Sequence, residues 1–429
     1  MTARQVLVFP AGTEIGLEIF ESLRHCKETQ LHAAGQDVAN HAMFAYDKYH
    51  VIPSIREPGW VEALAALCRE LRIDYIFPAY DDVIVALAEH AGELPAQVVS
   101  SPLETCLVTR SKRQTYALLD GLIRVPAVYE SPAQVVGYPV LVKPERGQGS
   151  QGIARVDDAA QLAAAMQAVQ DPLICEYLPG EEYTIDCFSD REKGLLFCGA
   201  RIRQRTRNGI SVSTSTTELP GIAEVATRIA SRMELRGAWF FQLKRARDGE
   251  LALLEVAPRI AGSMSAHRVT GVNFALLSIF EQERRPLSVL TNPMPVQLDR
   301  ALRNRYRHGF RFKTLYIDFD DTIVVNGRVN LDAISLVYKC IDDGIKVILL
   351  TRHAGDIGAE LKRCRIAELF DEVVHLRQGE PKSRHIQSQD AIFIDDSFAE
   401  RREVHAIHGI PTFDVSMIEL LLNAGPLTP

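Results

Sequence analysis

Along the first hundred residues, short apolar runs alternate with segments whose apolar positions repeat every three or four residues. Residues 6–9 are uniformly apolar and predict a buried strand, after which Ile15, Ile19, Phe20 and Leu23 recur at helical spacing. Residues 61–71 repeat the helical pattern and 74–78 the strand pattern. Such alternation predicts a small parallel sheet, whose ligands sit beyond the strand C-termini. Gly12, Asp81 and Asp82 fall at these ends. They are candidate substrate contacts, or a tight turn and a helix cap.

The pattern changes after residue 110. Ser111 is placed to cap a helix over 112–119, residues 140–142 are a strand-like run, 157–169 an alanine-rich helix, and 173–176 the strand after it. Arg201, Arg203, Arg205 and Arg207 alternate, so a straight strand would project all four from one face. Residues 239–244 and 251–256 flank an Asp248-Gly249 turn and predict a hairpin that sets Gln242 beside Glu255. From residue 314 buried runs return: 315–317, 347–350 and 392–394 end in Asp318, Thr351 and Asp395.

At 429 residues the chain exceeds one ordinary core, and roughly 150 residues per domain suggests about three. The pattern divides it into 1–95, 96–298 and 314–429, joined at 299–313 by a basic connector that includes Arg300, Arg303, Arg305, Arg307, Arg311 and Lys313. With 47% hydrophobic and 24% charged residues it is a globular composition, and a net charge of −7 disfavours nucleic acid as a partner. No apolar run reaches ~18 residues, and no cleavable signal opens the sequence, so a cytoplasmic protein with no membrane partner is expected. None of the eight cysteines forms a C-x-x-C pair, and several lie in apolar runs, which predicts buried free thiols.

Residues 138–152 read Tyr-Pro-Val-Leu-Val-Lys-Pro-Glu-Arg-Gly-Gln-Gly-Ser-Gln-Gly. Gly147, Gly149 and Gly152 permit close backbone approach around Ser150, so N–H groups can converge on an anion, with Lys143 at the base. A plain flexible turn has the same composition. The segment fits neither the Walker pattern nor the Rossmann fingerprint. Downstream come Cys175-Glu176-Tyr177-Leu178-Pro179-Gly180-Glu181-Glu182 and Leu254-Glu255-Val256-Ala257-Pro258-Arg259. In this order the segments resemble an ATP-grasp carboxylate–amine ligase of the kind related to the large subunit of carbamoyl-phosphate synthetase, over residues 1–298. The resemblance implies an α/β architecture with a Rossmann-like pre-ATP-grasp subdomain and then an ATP-grasp fold. It implies ATP on Lys112 and Lys143, adenine at the backbone of Tyr177 and Leu178 after Glu176, ribose hydroxyls on Glu182, and Mg²⁺, with Mn²⁺ as an alternative, on Gln242 and Glu255. Arg259 would face the transferred phosphoryl group, and Arg203, Arg205 and Arg207 are candidates for an anionic substrate or the phosphates. The family places Asn two residues after the glutamate as a further metal ligand; here that position is Ala257, and a methyl group binds no metal.

Asp318-Phe319-Asp320-Asp321 follows a buried run, and Thr351, Lys382 and Asp395-Asp396 follow in turn. These four motifs resemble the haloacid dehalogenase (HAD) superfamily of phosphatases. The resemblance implies Asp318 as nucleophile, Asp320 as general acid and base, Thr351 and Lys382 on the phosphoryl oxygens, and Mg²⁺ on Asp318, Asp320 and Asp395. Only about thirty residues separate Asp318 from Thr351, and about thirty more reach Lys382, which by the resemblance implies a capless HAD-like Rossmannoid domain. The expected partners are a small-molecule carboxylate and amine and a phosphorylated small molecule, with a homodimer as one permitted assembly. The alternative is an ATP-sensing regulatory protein with a non-catalytic or phosphotransferase HAD-like module.

Overall fold

The computed structural model of the chain describes residues 3–147, 149, 151–309, 311–422 and 425–426. The chain divides into two compact units, Met1–Leu302 and Arg303–Pro429.

The first unit opens with a parallel sheet in the order Tyr49–Val51, Thr29–Gly35, Arg4–Phe9, Tyr75–Pro78, Gln97–Val98. Thr13 caps the helix Glu14–Leu23 by accepting from Gly16 N, and Ile19 and Leu23 turn into the core. The strand Tyr75–Pro78 runs almost directly into the helix Asp81–Glu89, which sets Asp81 and Asp82 in a first helical turn at the C-terminal edge of the sheet.

Two antiparallel sheets follow. One pairs Val128–Tyr129, Pro172–Glu176, Val140–Pro144 and Ala154–Val156. The other has the order Leu251–Ala257, Gly237–Arg245, Glu182–Asp190, Gly194–Arg207, Ile210–Thr217, Gln297–Asp299. Its second strand buries both faces. Trp239 and Phe241 pack with Ile185, Ala226 and Ile229, while Phe240, on the other face with Phe188 of the neighbouring strand, packs with Val8 and Ile19 of the opposite layer. Burying each aromatic side chain stabilises the sheet by about 1.5–3 kcal/mol. The basic connector begins later than 299: Asp299 pairs with Ser213, and Arg300 N donates to Val212 O.

The second unit is a five-stranded parallel sheet in the order Glu372–His375, Lys346–Thr351, Thr314–Ile317, Ala391–Ile394, Thr412–Phe413. Leu315 and Ile317 face one core and Tyr316 the other, which is why these strands read as continuous apolar runs. From Thr314–Ile317 the chain next adds Lys346–Thr351 on one side and later Ala391–Ile394 on the other. The topology therefore switches beside the first strand, a place where such sheets leave a ligand crevice. Between Ile317 and the helix Leu331–Asp342 lies only a short hairpin, Val324–Val325 with Arg328–Val329.

All eight cysteines are free. Among the described residues, no helix is long and apolar enough to cross a membrane.

Candidate functional site

In the first unit a cavity of about 260 Å³ lies between the two antiparallel sheets. Lys143, 4% exposed, points into it from its strand, donates to Tyr116 Oη at 2.8 Å and lies 5.2 Å from that ring's centroid. Tyr116 and Lys112 lie four apart on the helix Lys112–Leu119, so both reach the same side. Lys112 Nζ donates to Glu145 O at 3.2 Å. Burial first, and then the charge of Lys143, draw the Lys112 pKa down to about 8. No motif singles out Glu145, whose carboxylate accepts from Ser111 Oγ and Arg113 N and so ties the strand end to the helix start.

The glycine-rich loop folds against the Asn208-Gly209 turn. Gly149 has φ of +60°, and a Cβ on Gly209 would lie 2.1 Å from Gly149 C, so that turn accepts only glycine. Gly152 also has positive φ. Gly147 does not; a Cβ there would lie 3.2 Å from Pro144 Cβ. Ser150 lies outside the described residues.

Arg203 reaches the cavity, pairs with Glu182 and donates to Gly209 O at 2.5 Å, while its Nε is buried with no hydrogen-bond partner. Arg205 and Arg207 do not join it. The strand register shifts on both sides of Arg205, ending the alternation expected of a straight strand, and both residues are exposed, with Arg205 paired to Asp299. Arg201 is buried on Asp186, which also takes His267 Nδ1 at 2.9 Å.

Glu176, Tyr177 and Leu178 line the cavity. The Glu176 carboxylate is engaged by Arg124 at 2.8 Å and Ala127 N at 3.3 Å, so its side chain anchors the end of its own strand. Gln242 and Glu255 are direct cross-strand partners and both line the cavity. Burial, then the neighbouring Asp81 charge, raises the Glu255 pKa against Arg259, Lys112 and Arg203. A carboxylate so destabilised as an anion, with an amide oxygen opposite, suits a hard divalent cation. The orphaned Arg203 Nε and the two lysines suit phosphates.

Arg259 Nε and Nη2 hold Asp81 at 2.5 and 3.0 Å, so the start of the helix Asp81–Glu89 is tied to the segment that follows the strand Leu251–Ala257.

In the second unit, Asp318, Lys382 and Asp395 are all buried, and Lys382 Nζ lies 2.6 Å from both Asp318 Oδ1 and Asp395 Oδ2. Burial, with Asp395 adding to it and Lys382 opposing, pushes the Asp318 carboxyl up to about 6. Oxygens of Asp318, Asp395 and Asp396 lie within 4.8 Å of one another. Asp320, expected in the metal set, is not among them. Past the strand the backbone turns through Asp321 at φ +54°, and Asp320 swings outward, 53% exposed, onto His353 Nδ1 at 3.0 Å. Asp396 takes its place, since Asp396 N donates to Thr322 Oγ1 and holds that turn against the first strand end. Thr351 is fully buried, and its Oγ1 accepts from His353 N at 3.1 Å. No periodicity in the sequence pointed to His353. Its position two residues past Thr351 is the only signal it carries.

Two family models match the chain: PylC-like, N-terminal domain, over residues 6–100, and ATP-grasp in the biosynthetic pathway with Ter operon, over 168–303. The arginine-specific large chain of carbamoyl phosphate synthase from Bacillus subtilis (strain 168) is 27% identical over 241 residues, 50% of this chain. The match spans only 23% of that relative. Among solved structures, the biotin carboxylase domain of Hydrogenobacter thermophilus 2-oxoglutarate carboxylase, with MgADP, ADP and bicarbonate, superposes with a TM-score of 0.58 at 17% identity, covering 68% of this chain and 73% of that one. The L-amino acid ligase of Bacillus licheniformis gives 0.54 at 18% identity, covering 67% and 75%. The first unit therefore carries the ATP-grasp fold, preceded by a PylC-like N-terminal domain.

Proposed function

We propose that the chain is bifunctional: an ATP-dependent carboxylate–amine ligase in residues 1–302 and a Mg²⁺-dependent phosphomonoesterase of the HAD type in residues 303–429. The observation that carries the ligase reading is the convergence of Lys112, Lys143 and Arg203 on one cavity beside the Gln242–Glu255 pair. Bound ATP supplies the phosphoryl group that converts a carboxylate to an acyl phosphate with release of ADP, and an amine then displaces phosphate. In that cavity Lys112 and Lys143 offer fixed positive charge where negative charge develops, and burial strengthens their effect. Gln242 and Glu255 would hold Mg²⁺, and Glu182 and the backbone at Tyr177 and Leu178 would receive the nucleoside. ADP release with hydroxylamine as nucleophile, tested over a panel of carboxylates with Lys143→Ala as control, checks this. AMP in place of ADP would refute the mechanism.

For residues 303–429, the supporting observation is Lys382 between Asp318 and Asp395 at a strand-end crevice. Asp318 attacks phosphorus, the ester P–O bond breaks, and Asp320 protonates the leaving oxygen. Asp320 then takes a proton from the water that hydrolyses the aspartyl phosphate. Asp318, Asp395 and Asp396 would hold Mg²⁺, which would offset the repulsion between these carboxylates and the substrate. Hydrolysis of p-nitrophenyl phosphate by wild type and Asp318→Asn tests it; equal, negligible rates would favour a non-catalytic module.

A second reading, ATP sensing without turnover, draws on Ala257 beside Glu255 and on the engagement of Arg259 by Asp81. Nucleotide binding with no carboxylate-dependent ADP release would support it.

A further inference from the structure

Asp320 stands apart from the clustered oxygens of Asp318, Asp395 and Asp396 and reaches outward to a histidine. His353 Nδ1 lies 3.0 Å from Asp320 Oδ1 and 3.1 Å from Oδ2, so it addresses both oxygens at once. A carboxylate only accepts hydrogen bonds, so Nδ1 carries the hydrogen and donates it. Among the described residues, no other group hydrogen-bonds that carboxylate.

His353 is itself held from several sides. Its N donates to Thr351 Oγ1 at 3.1 Å, its carbonyl oxygen accepts from His375 Nε2 at 2.8 Å, and its ring meets Phe319 edge to face with 5.3 Å between centroids. The far edge of the ring lies over Gly355, where a Cβ would stand 3.4 Å from Nε2. The His353 side chain is 19% exposed against 53% for Asp320. A donor tied in this way to the ends of two strands fixes the direction of Asp320, which a pair of loose surface side chains would not do.

In the phosphatase reading the ester P–O bond breaks as Asp318 bonds to phosphorus, and the proton of Asp320 passes to the leaving oxygen. Asp320 thereby gains negative charge in the transition state. A donor already aimed at its oxygens binds that charge more tightly than it binds the neutral acid, and such a difference lowers the barrier. The gain scales with the proton transferred, so it vanishes for a leaving group that departs as a stable anion.

We infer that His353 is a positioning residue of this site: it aims Asp320 at the leaving oxygen and supports the charge that Asp320 acquires, which sets how basic a leaving group the site expels. The inference rests on the phosphatase reading and deepens it.

The test measures kcat/KM of the full chain, with Mg²⁺, on two aryl esters. Phenyl phosphate releases a basic phenoxide that needs the proton, whereas dinitrophenyl phosphate releases a stable anion that does not. Hydrolysis of the aspartyl phosphate comes after ester cleavage and stays out of kcat/KM. His353→Leu should lower kcat/KM for phenyl phosphate about tenfold or more, the worth of a hydrogen bond to a charged group. Turnover of dinitrophenyl phosphate should be retained, which also shows that the variant is folded. His353→Asn, whose amide nitrogen falls where Nδ1 stood, should restore the phenyl phosphate rate; His353→Gln, whose amide nitrogen falls where Nε2 stood, should not. Should His353→Leu fail to fold, the contrast between Asn and Gln carries the test. In an Asp320→Asn background His353→Leu should have no further effect, because the two residues act as one unit. Equal losses on both esters in a folded variant, or a full further loss in the Asp320→Asn background, overturn the inference and leave the phosphatase reading intact. Hydrolysis of neither ester by wild type removes the reading itself, and the inference with it.

Discussion

In residues 1–302 Lys112, Lys143, Arg203 and Lys244 line the cavity against Glu176, Glu182 and Glu255, a cationic excess of one; in residues 303–429 Asp318, Asp395 and Asp396 gather around Lys382. Each site holds an excess of one sign in a buried place, which is unfavourable without a counter-charge. The first is thus built to receive anions and the second to receive a cation. The proteins manage the strain differently in the two places. The first leaves polar atoms unsatisfied, such as Arg203 Nε, and lets the Lys112 pKa fall. The second inserts a lysine that touches two carboxylates and leaves Asp318 titrating near 6.

The sharpest break in this comparison comes from removing the groups expected to react. Asp318→Asn should lower phosphomonoesterase turnover by about 10³-fold or more, with ADP release by the other unit unchanged. Lys143→Ala should lower ADP release by about 10²–10³-fold and leave phosphatase turnover alone; cross-effects in paired assays would contradict the division into two sites. Next in size, Lys382→Met strands Asp318 and Asp395. In EDTA it should cost about 3–5 kcal/mol, measured by denaturant unfolding, and Mg²⁺ should restore much of that loss. A smaller effect separates the sites by pH. Lys112 is charged below about pH 8 and neutral above it, so affinity for an ATP analogue should fall about tenfold as pH rises through 8, and Lys112→Met should flatten the profile. Its folded pKa lies below the unfolded value, so the unfolded chain binds more protons between about 8 and 10.5. Lys112 thus makes stability rise with pH across that window. Smallest of all, Ala257→Asn should tighten the Mg²⁺ dependence of ADP release a few-fold, by adding an oxygen ligand near Glu255, as read from a Mg²⁺ titration.

Much of this was legible without coordinates. The Asp248-Gly249 turn between two apolar runs was enough to place Gln242 and Glu255 on paired strands, though a register shift between Gln242 and Leu243, and not simple alternation, sets the two directly opposite. The strand-end positions of Asp318, Thr351 and Asp395 were equally legible, since buried parallel strands read as uninterrupted apolar runs. The alternating arginines misled beyond Arg203. A register shift inserts an offset that no residue type announces, and it sent Arg205 to Asp299.

By itself, then, the sequence determined what short-range regularities can express: the order of strands and helices, the cap at Ser111, the turn at Asp248-Gly249 and the residues at strand ends. Only the tertiary structure decided which charges meet. Asp81 and Arg259 lie 178 residues apart and belong to different layers, yet they close on each other in one cavity wall. Asp396 rather than Asp320 joins Asp318 because a backbone turn through Asp321 points one carboxylate out and leaves the other beside the strand end. Local propensity acts over a turn or two of chain, whereas an ion pair depends on where packing brings the ends of distant elements.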